Sequence, residues 1–278
     1  MVEPVNSSEK LNSSSELPTP EPRKDRFSHI SFYESDSPSL AGDARRLHAL
    51  GYLQMGFVEP TAIDETGMLH PYIDKARGDN VQYYLAYDDV HKNNVATMRK
   101  IAIPEGEDYY SLPAMKLCQD SFHEDSIDII KSAFDKNNNL IELAALAGIK
   151  EAGPVAVYEV LRAGLHDGIP KNEVWLFSLV AKTHERLVSS MGEDVFTVLG
   201  KDVKLDDPRV SEDVRLRPLL FDTTTFLDTL LGTIQRPNID DEARMHYIRS
   251  LIFFSEGLSK ELMSEDVSLA RKKILSSI

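Results

Sequence analysis

The residues best placed to do chemistry are charges set in apolar surroundings. Glu142 lies in Leu140-Ile141-Glu142-Leu143-Ala144-Ala145-Leu146-Ala147, an apolar run with one charge. A carboxylate there needs either a partner or a task, because burying an unpaired charge is strongly disfavoured. Arg99, in Ala96-Thr97-Met98-Arg99-Lys100-Ile101, is a candidate partner across a sheet, or else a surface strand arginine. Lys150-Glu151-Ala152-Gly153-Pro154-Val155 opens a helix whose first amides could hold an anion. Glu151 opposes that and Pro154 removes one donor, so a tight strand-to-helix turn accounts for the same residues equally well. His184, at helical spacing with Leu187, Val188 and Met191, reads as a packing histidine. Cys118, in Met115-Lys116-Leu117-Cys118, has no activating motif beside it and reads as a buried apolar thiol.

The elements that must position these residues follow from periodicity. His29 to Tyr33 alternates Ile30 and Phe32 as a strand with one buried face. A short helix is predicted over Asp43–Leu53 with Leu47, Leu50 and Tyr52 on its apolar side, followed by a polar, irregular stretch to Asp79. Gln82–Tyr87 and Val95–Ile103 are aromatic or β-branched runs joined by a polar loop, which predicts an antiparallel hairpin. Leu140–Ala147 is too short for a typical helix and reads as a strand buried on both faces. A helix then runs from Pro154 to Gly168, a second buried strand covers Val174–Val180, a helix ends at Gly192, and Phe196–Leu199 is a further strand. Strand, helix, strand, helix, strand from about 140 to 205 predicts a right-handed crossover with two parallel neighbours. Beyond Leu205, two amphipathic helices over about 223–235 and 240–263 are expected to pack on the core or cover a cavity.

Composition bounds the function. A chain of 278 residues with 42% hydrophobic and 27% charged residues can bury a full core. Its formal charge of −14 argues against non-specific attraction to nucleic acid or anionic lipid, so any anionic ligand must be held by local donors. One cysteine fits a reducing compartment, no apolar run approaches a membrane span, and the start lacks the order of a secretory signal; the expectation is a cytoplasmic protein. Residues 1–26 are rich in Ser, Glu, Pro and Asn and read as a disordered leader. The expected organisation is that leader, a core over 27–205, and a C-terminal helical extension over 206–278 packed on it.

Leu50-Gly51-Tyr52 through Asp74, then Tyr84–Tyr87, Ala96-Thr97-Met98-Arg99 and Ile141-Glu142-Leu143 together resemble the layout of the N-acyl amino acid synthases and acyl-homoserine-lactone autoinducer synthases, within the GNAT superfamily of acyltransferases. Ala96-Thr97-Met98-Arg99 resembles their G-T-x-R-L motif with Ala for Gly, and Glu142-Leu143-Ala144-Ala145 resembles E-L-S-R without its Ser and Arg. The resemblance covers roughly residues 30 to 205. It implies an α/β GNAT acyltransferase fold: a mixed, mostly antiparallel sheet with a splayed central parallel pair and flanking helices, here with C-terminal helices added. It also implies transfer of an acyl group from a thioester, acyl-CoA or acyl-carrier protein, to the amine of an amino acid or similar metabolite, with no permanently bound cofactor and no metal. Lys150, Gly153 and Val155 fall on the donor loop of that pattern, and Asp74 and Ala144 on the substrate side. Glu142 becomes the candidate base for the ammonium, and Arg99 the candidate binder of an acceptor carboxylate. The superfamily's tyrosine acid falls on Val188. Two other readings stand beside this one: a non-catalytic ligand-binding or regulatory protein on the same scaffold, and a polyamine or protein acetyltransferase.

Overall fold

The computed structural model describes residues 26–70, 78–135 and 139–277. The expected leader over 1–26, apart from Arg26, and Asp74 lie outside the described residues. Strands β1 (Phe27–Tyr33), β2 (Val81–Asp88), β3 (Asn93–Ala102), β4 (Asn139–Gly148), β5 (Glu173–Val180), β6 (Thr197–Val198), β7 (Val203–Lys204) and β8 (Arg215–Asp222) form one sheet. Its order is β1-β2-β3-β4-β5-β8-β6, with β7 paired to β8. The helices are α1 (Pro38–Gln54), α2 (Pro113–Cys118), α3 (Ser126–Asp135), α4 (Pro154–Gly168), α5 (Ala181–Met191), α6 (Phe226–Ile234), α7 (Asp241–Ser255) and α8 (Glu265–Leu275).

The expected hairpin forms as β2 and β3, and its turn is held by Asp88, whose carboxylate accepts from the amides of Val90 and His91 and is clasped by Arg26. All neighbouring pairs are antiparallel except β4 and β5, which are parallel and joined through α4. Side chains alternate across the pleat, so Tyr83, Leu85, Ile101, Leu140 and Leu176 pack with α1 on one face, while Tyr84, Met98, Leu143, Trp175 and Phe177 pack with α4 on the other.

Five expectations are corrected. Ile30 is 46% exposed, because β1 is an edge strand and not half-buried. Leu50 is exposed as well: α1 begins earlier, with Pro38 in its first turn, and turns Gly51 rather than Leu50 toward β4. The segment after 205 is more than a helical extension, since β8 pairs with β5 from Asp222 to Leu216 and joins β6 and β7 to the sheet. The strand expected over Phe196–Leu199 shortens to Thr197–Val198 and pairs antiparallel with β8, and the two expected C-terminal helices are three.

A buried charge network pins the sheet on the α4 face. Lys100 of β3 reaches across β4, and its ammonium lies 2.5 Å from a Glu173 carboxylate oxygen of β5, 3.0 Å from the Gly164 carbonyl and 3.2 Å from Asp167. The Trp175 indole donates to the same Glu173 oxygen at 2.8 Å, and Tyr84 donates to Asp167. Burial pulls the Lys100 ammonium below the usual lysine range, and the neighbouring carboxylates oppose that. Removing the cation strands a buried carboxylate, so Lys100→Met should lower unfolding free energy by about 3 kcal/mol or more in urea titration. The Lys100→Met/Glu173→Gln double variant should recover part of the loss; a single-variant loss below about 1 kcal/mol would show that the network is not holding the sheet.

Candidate functional site

β4 and β5 pair only from Asn139↔Glu173 to Leu143↔Phe177. Beyond that point each strand keeps its outer partner and loses its inner one. β4 stays on β3 through Ala96↔Gly148, and β5 stays on β8 through Val180↔Leu216. The divergence coincides with a bulge in β4, where Thr97↔Ala147 and Arg99↔Ala144 leave one residue too many on β4 and Ala145 adopts φ +52°.

A cavity of about 480 Å³ fills the gap. Its walls come from the end of β4 (Leu146–Lys150), the start of α4, one side of α5, and Gly51, Tyr52, Met55 and Phe57 at and after the end of α1. Because α1 and α4 lie on opposite faces, the cavity passes through the sheet. Gly51 permits the closest helix approach, since a Cβ there would stand 3.1 Å from both the Ala147 Cβ and the Gly148 carbonyl oxygen. Gly153 ends the loop at φ +72°, a left-handed conformation that favours glycine, and hands the chain to Pro154 at the start of α4.

The lining is mostly aliphatic and aromatic, and among the described residues its only formal charges are Lys150 and Arg186. Both are exposed at the rim, and among the described residues neither is paired with a carboxylate. Among the described residues, no Asp, Glu or His lines the cavity. Two hydroxyls meet there: Tyr158 of α4 donates to Ser190 Oγ of α5 at 2.6 Å.

Of the residues the sequence singles out, Lys150 and Gly153 line this cavity. Glu142, Arg99, Ala144 and Val155 do not, and Val155 is exposed. Glu142 and Arg99 share the α1 face, because Arg99 stands opposite Ala144 and Ile101 opposite Glu142. Glu142 belongs to the paired part of the sheet, Arg99 stands opposite Ala144 just beyond the last β4–β5 pair, and neither lines this cavity. Glu142 Oε2 accepts from the Ala114 amide of α2 at 2.7 Å. Burial drives its carboxyl up from 4.5 to about 7, against the pull of that amide and of Arg99.

His184 is buried edge-on against Phe196, with Nδ1 3.0 Å from an Arg217 guanidinium nitrogen, and burial together with that cation holds its pKa down. Cys118 is buried, and burial lifts its thiol to about 12. Val188 packs half-buried against the core and presents no hydroxyl. Sequence reasoning missed Tyr158, Arg186 and Ser190, which in a linear pattern are ordinary helix residues. The helical spacing that put Leu187 on the inner face of α5 also puts Arg186 and Ser190 beside it, which was the available signal.

No protein-family model matches the chain, and no curated protein matches it. Solved structures do match. The N-acyl amino acid synthase FeeM from uncultured soil microbes is 14% identical with a TM-score of 0.52, over 76% of this chain and 99% of its own. The CoA-dependent acyl-homoserine lactone synthase BjaI is 12% identical, TM-score 0.48, over 78% and 96%. A spermidine N-acetyltransferase from Vibrio cholerae is 8% identical, TM-score 0.40, over 73% and 98%. The chain has the GNAT acyltransferase fold, with its mixed sheet and parted parallel pair.

The raised Glu142 makes a pH-dependent contribution whose sign is fixed. A carboxyl that titrates at about 7 in the native state and 4.5 otherwise holds its proton more tightly when folded, so native stability falls as pH rises through that interval. Gln at 142 keeps an acceptor for the Ala114 amide and has no proton to lose. The unfolding free energy of Glu142→Gln minus wild type should therefore increase between about pH 5 and about pH 8, toward about 3 kcal/mol. A difference that stays flat across that range would show that the Glu142 carboxyl is not raised.

Proposed function

We propose that this protein transfers an acyl group from a thioester to the amine of an amino acid or similar small metabolite. The observation that carries the reading is the cavity between β4 and β5, apolar along its walls and carrying, among the described residues, Lys150 and Arg186 with no carboxylate. Parted strands offer unpaired inner-edge backbone groups, which suit the amides of a pantetheine arm. The apolar lining suits an acyl chain at about 25 cal/mol per Å² buried. Two cations suit an acceptor carboxylate, whereas a polyamine would meet like charge and no counter-ion. FeeM, whose fold this chain shares, is an N-acyl amino acid synthase.

The reaction joins the amine nitrogen to the thioester carbonyl carbon and breaks the carbon–sulfur bond, with the electron pair leaving on sulfur. The amine gives up one proton and the thiolate takes one. In this reading the Ser190 hydroxyl gives its proton to the thiolate and is reprotonated by the Tyr158 hydroxyl, which in turn takes up the proton that the amine gives up. Lys150 and Arg186 hold the acceptor's carboxylate, and Gly153 shapes the mouth. Glu142 and Arg99 act as positioning residues below the cavity. Among the described residues the lining offers no carboxylate or imidazole, which favours a second reading, in which an acyl ligand is bound without turnover.

Mass spectrometry of organic extracts from cells overproducing the protein should show an N-acyl amino acid, and purified protein should release free thiol from a decanoyl thioester only when that amino acid is added. Arg186→Gln should then raise KM for the amino acid by about tenfold, with little change in KM for the corresponding amino-acid amide. Equal effects on both acceptors would remove Arg186 from carboxylate binding. Tight binding of the thioester with no thiol release would establish the second reading.

A further inference from the structure

On the acyl-transfer reading, on which the following rests, Tyr158 and Ser190 must stay within hydrogen-bond distance while a ligand fills the cavity beside them. The two come from different helices, and both are half-buried. Ser190 is next to last in α5, where helix carbonyls have no intrahelical partner and the final turn frays unless something outside caps it. The cap comes from α7: Ser250 donates its hydroxyl to the Ser190 carbonyl at 2.7 Å. With that backbone held, the Ser190 hydroxyl is held too, since it accepts from Tyr158 and donates to the Arg186 carbonyl at 3.3 Å. One turn further along α7, Phe254 meets the other member of the pair. Its ring stands edge-on to the Tyr158 ring, with centroids 6.2 Å apart, and Phe254 is itself buried and braced by Phe226 of α6.

We propose that Ser250 and Phe254 are positioning residues of the acyl-transfer site, and that α7 sets the geometry from which Tyr158 and Ser190 relay the proton. Residues four apart share one side of a helix, so a single strip of α7 reaches both hydroxyl bearers, one through its carbonyl and the other through its ring. α4 holds that strip in register. Tyr158, Arg162 and His166 recur at four-residue spacing along α4, and all three meet the end of α7. The Arg162 guanidinium lies over the Phe253 ring at 4.6 Å and 3.3 Å from Glu256, and His166 Nε2 is 3.0 Å from the Phe254 carbonyl oxygen. At the other end of α7, the Asp240 side chain accepts from the Ala243 amide at 2.9 Å. A displacement of α7 would therefore move the Ser190 carbonyl and the Tyr158 ring together, and a hydroxyl relay weakens steeply once its members leave hydrogen-bond range.

Ser250→Ala removes the hydroxyl and leaves a better helix former in its place, so α7 itself is kept. With the full-length protein, S-decanoyl-pantetheine as donor and the mixed protein amino acids as acceptors, this variant should lower kcat for thiol release about tenfold while KM for the thioester stays within about twofold of wild type. Ser250→Thr, which keeps the hydroxyl, should bring kcat back to within about threefold. Phe254→Leu, apolar but without a ring, should show the same split between kcat and KM. A cycle with Tyr158→Phe separates positioning from mere support of the fold. In a chain already lacking the relay hydroxyl, Ser250→Ala should lower kcat by less than about twofold more, because nothing is left to position. Full kcat in Ser250→Ala, or an undiminished loss in the Tyr158→Phe background, overturns the positioning role and leaves the acyl-transfer reading standing. Wild-type protein that releases no thiol, or Tyr158→Phe at wild-type kcat, overturns the earlier reading itself, and the role of α7 with it.

Discussion

The parting of β4 from β5 is the constraint on which the rest of the structure depends. Two parallel strands that stayed paired to their ends would leave no room between α1 and α4, and the sheet would be sealed. Here pairing stops after Leu143↔Phe177, and the released inner edges are held open because the outer edges stay bonded to β3 and β8. An alanine in a left-handed conformation is disfavoured by about 1–2 kcal/mol, so Ala145 would relax if its neighbours allowed it. They do not, since β3 pairs with Ala144 on one side of the bulge and Ala147 on the other. The opening is therefore a property of strand register, fixed before any ligand arrives.

Electrostatics then decides what the opening can hold. With a formal charge of −14 the chain as a whole repels anions, and many of its described cations are held in local pairs such as Arg26 with Asp88, Arg209 with Asp207 and Arg217 with Asp202. Lys150 and Arg186 are left at the cavity rim, so the local field there opposes the global one. Such rim charges contribute little in water, and gain strength only toward a ligand whose carboxylate is drawn into the apolar lining. This arrangement separates recognition of the acceptor from general attraction of acidic molecules.

Much of the fold was legible because its central strands are short apolar runs bounded by turn residues. Leu140–Ala147 and Val174–Val180 could be placed as a buried parallel pair from composition and the helix between them. β8 was missed for a physical reason: Arg215-Leu216-Arg217-Pro218 carries charge and a proline, the usual marks of a strand end. Pro218 is accommodated because its missing amide falls in a ladder where its carbonyl still accepts from Leu199. The site was legible only in part. Lys150 and Gly153 sit in a local turn pattern that sequence displays, but Arg186, Tyr158 and Ser190 become cavity residues only because two strands diverge, and no local pattern encodes a divergence. Glu142 was recognisable as a charge needing a partner, and the structure supplies the Ala114 amide together with the attraction of Arg99.

The position of the buried charges relative to the parting completes the logic. Glu142 pairs in register with Leu176, and Glu173 with Asn139, so both buried carboxylates belong to the half of the β4–β5 pair that stays closed. On the α4 face, Lys100 bridges β3 to β5 over the top of β4. On the α1 face, Glu142 binds the start of α2 to β4. Each device is buried where water cannot compete, so each is rigid, and each would be disruptive if half-broken. Among the described residues the open half carries no such group: its walls are apolar apart from hydroxyls and the two rim cations. Pinning by charge at one end and the lack of it at the other lets a single strand pair be a locked core element along half its length and a binding cleft along the rest.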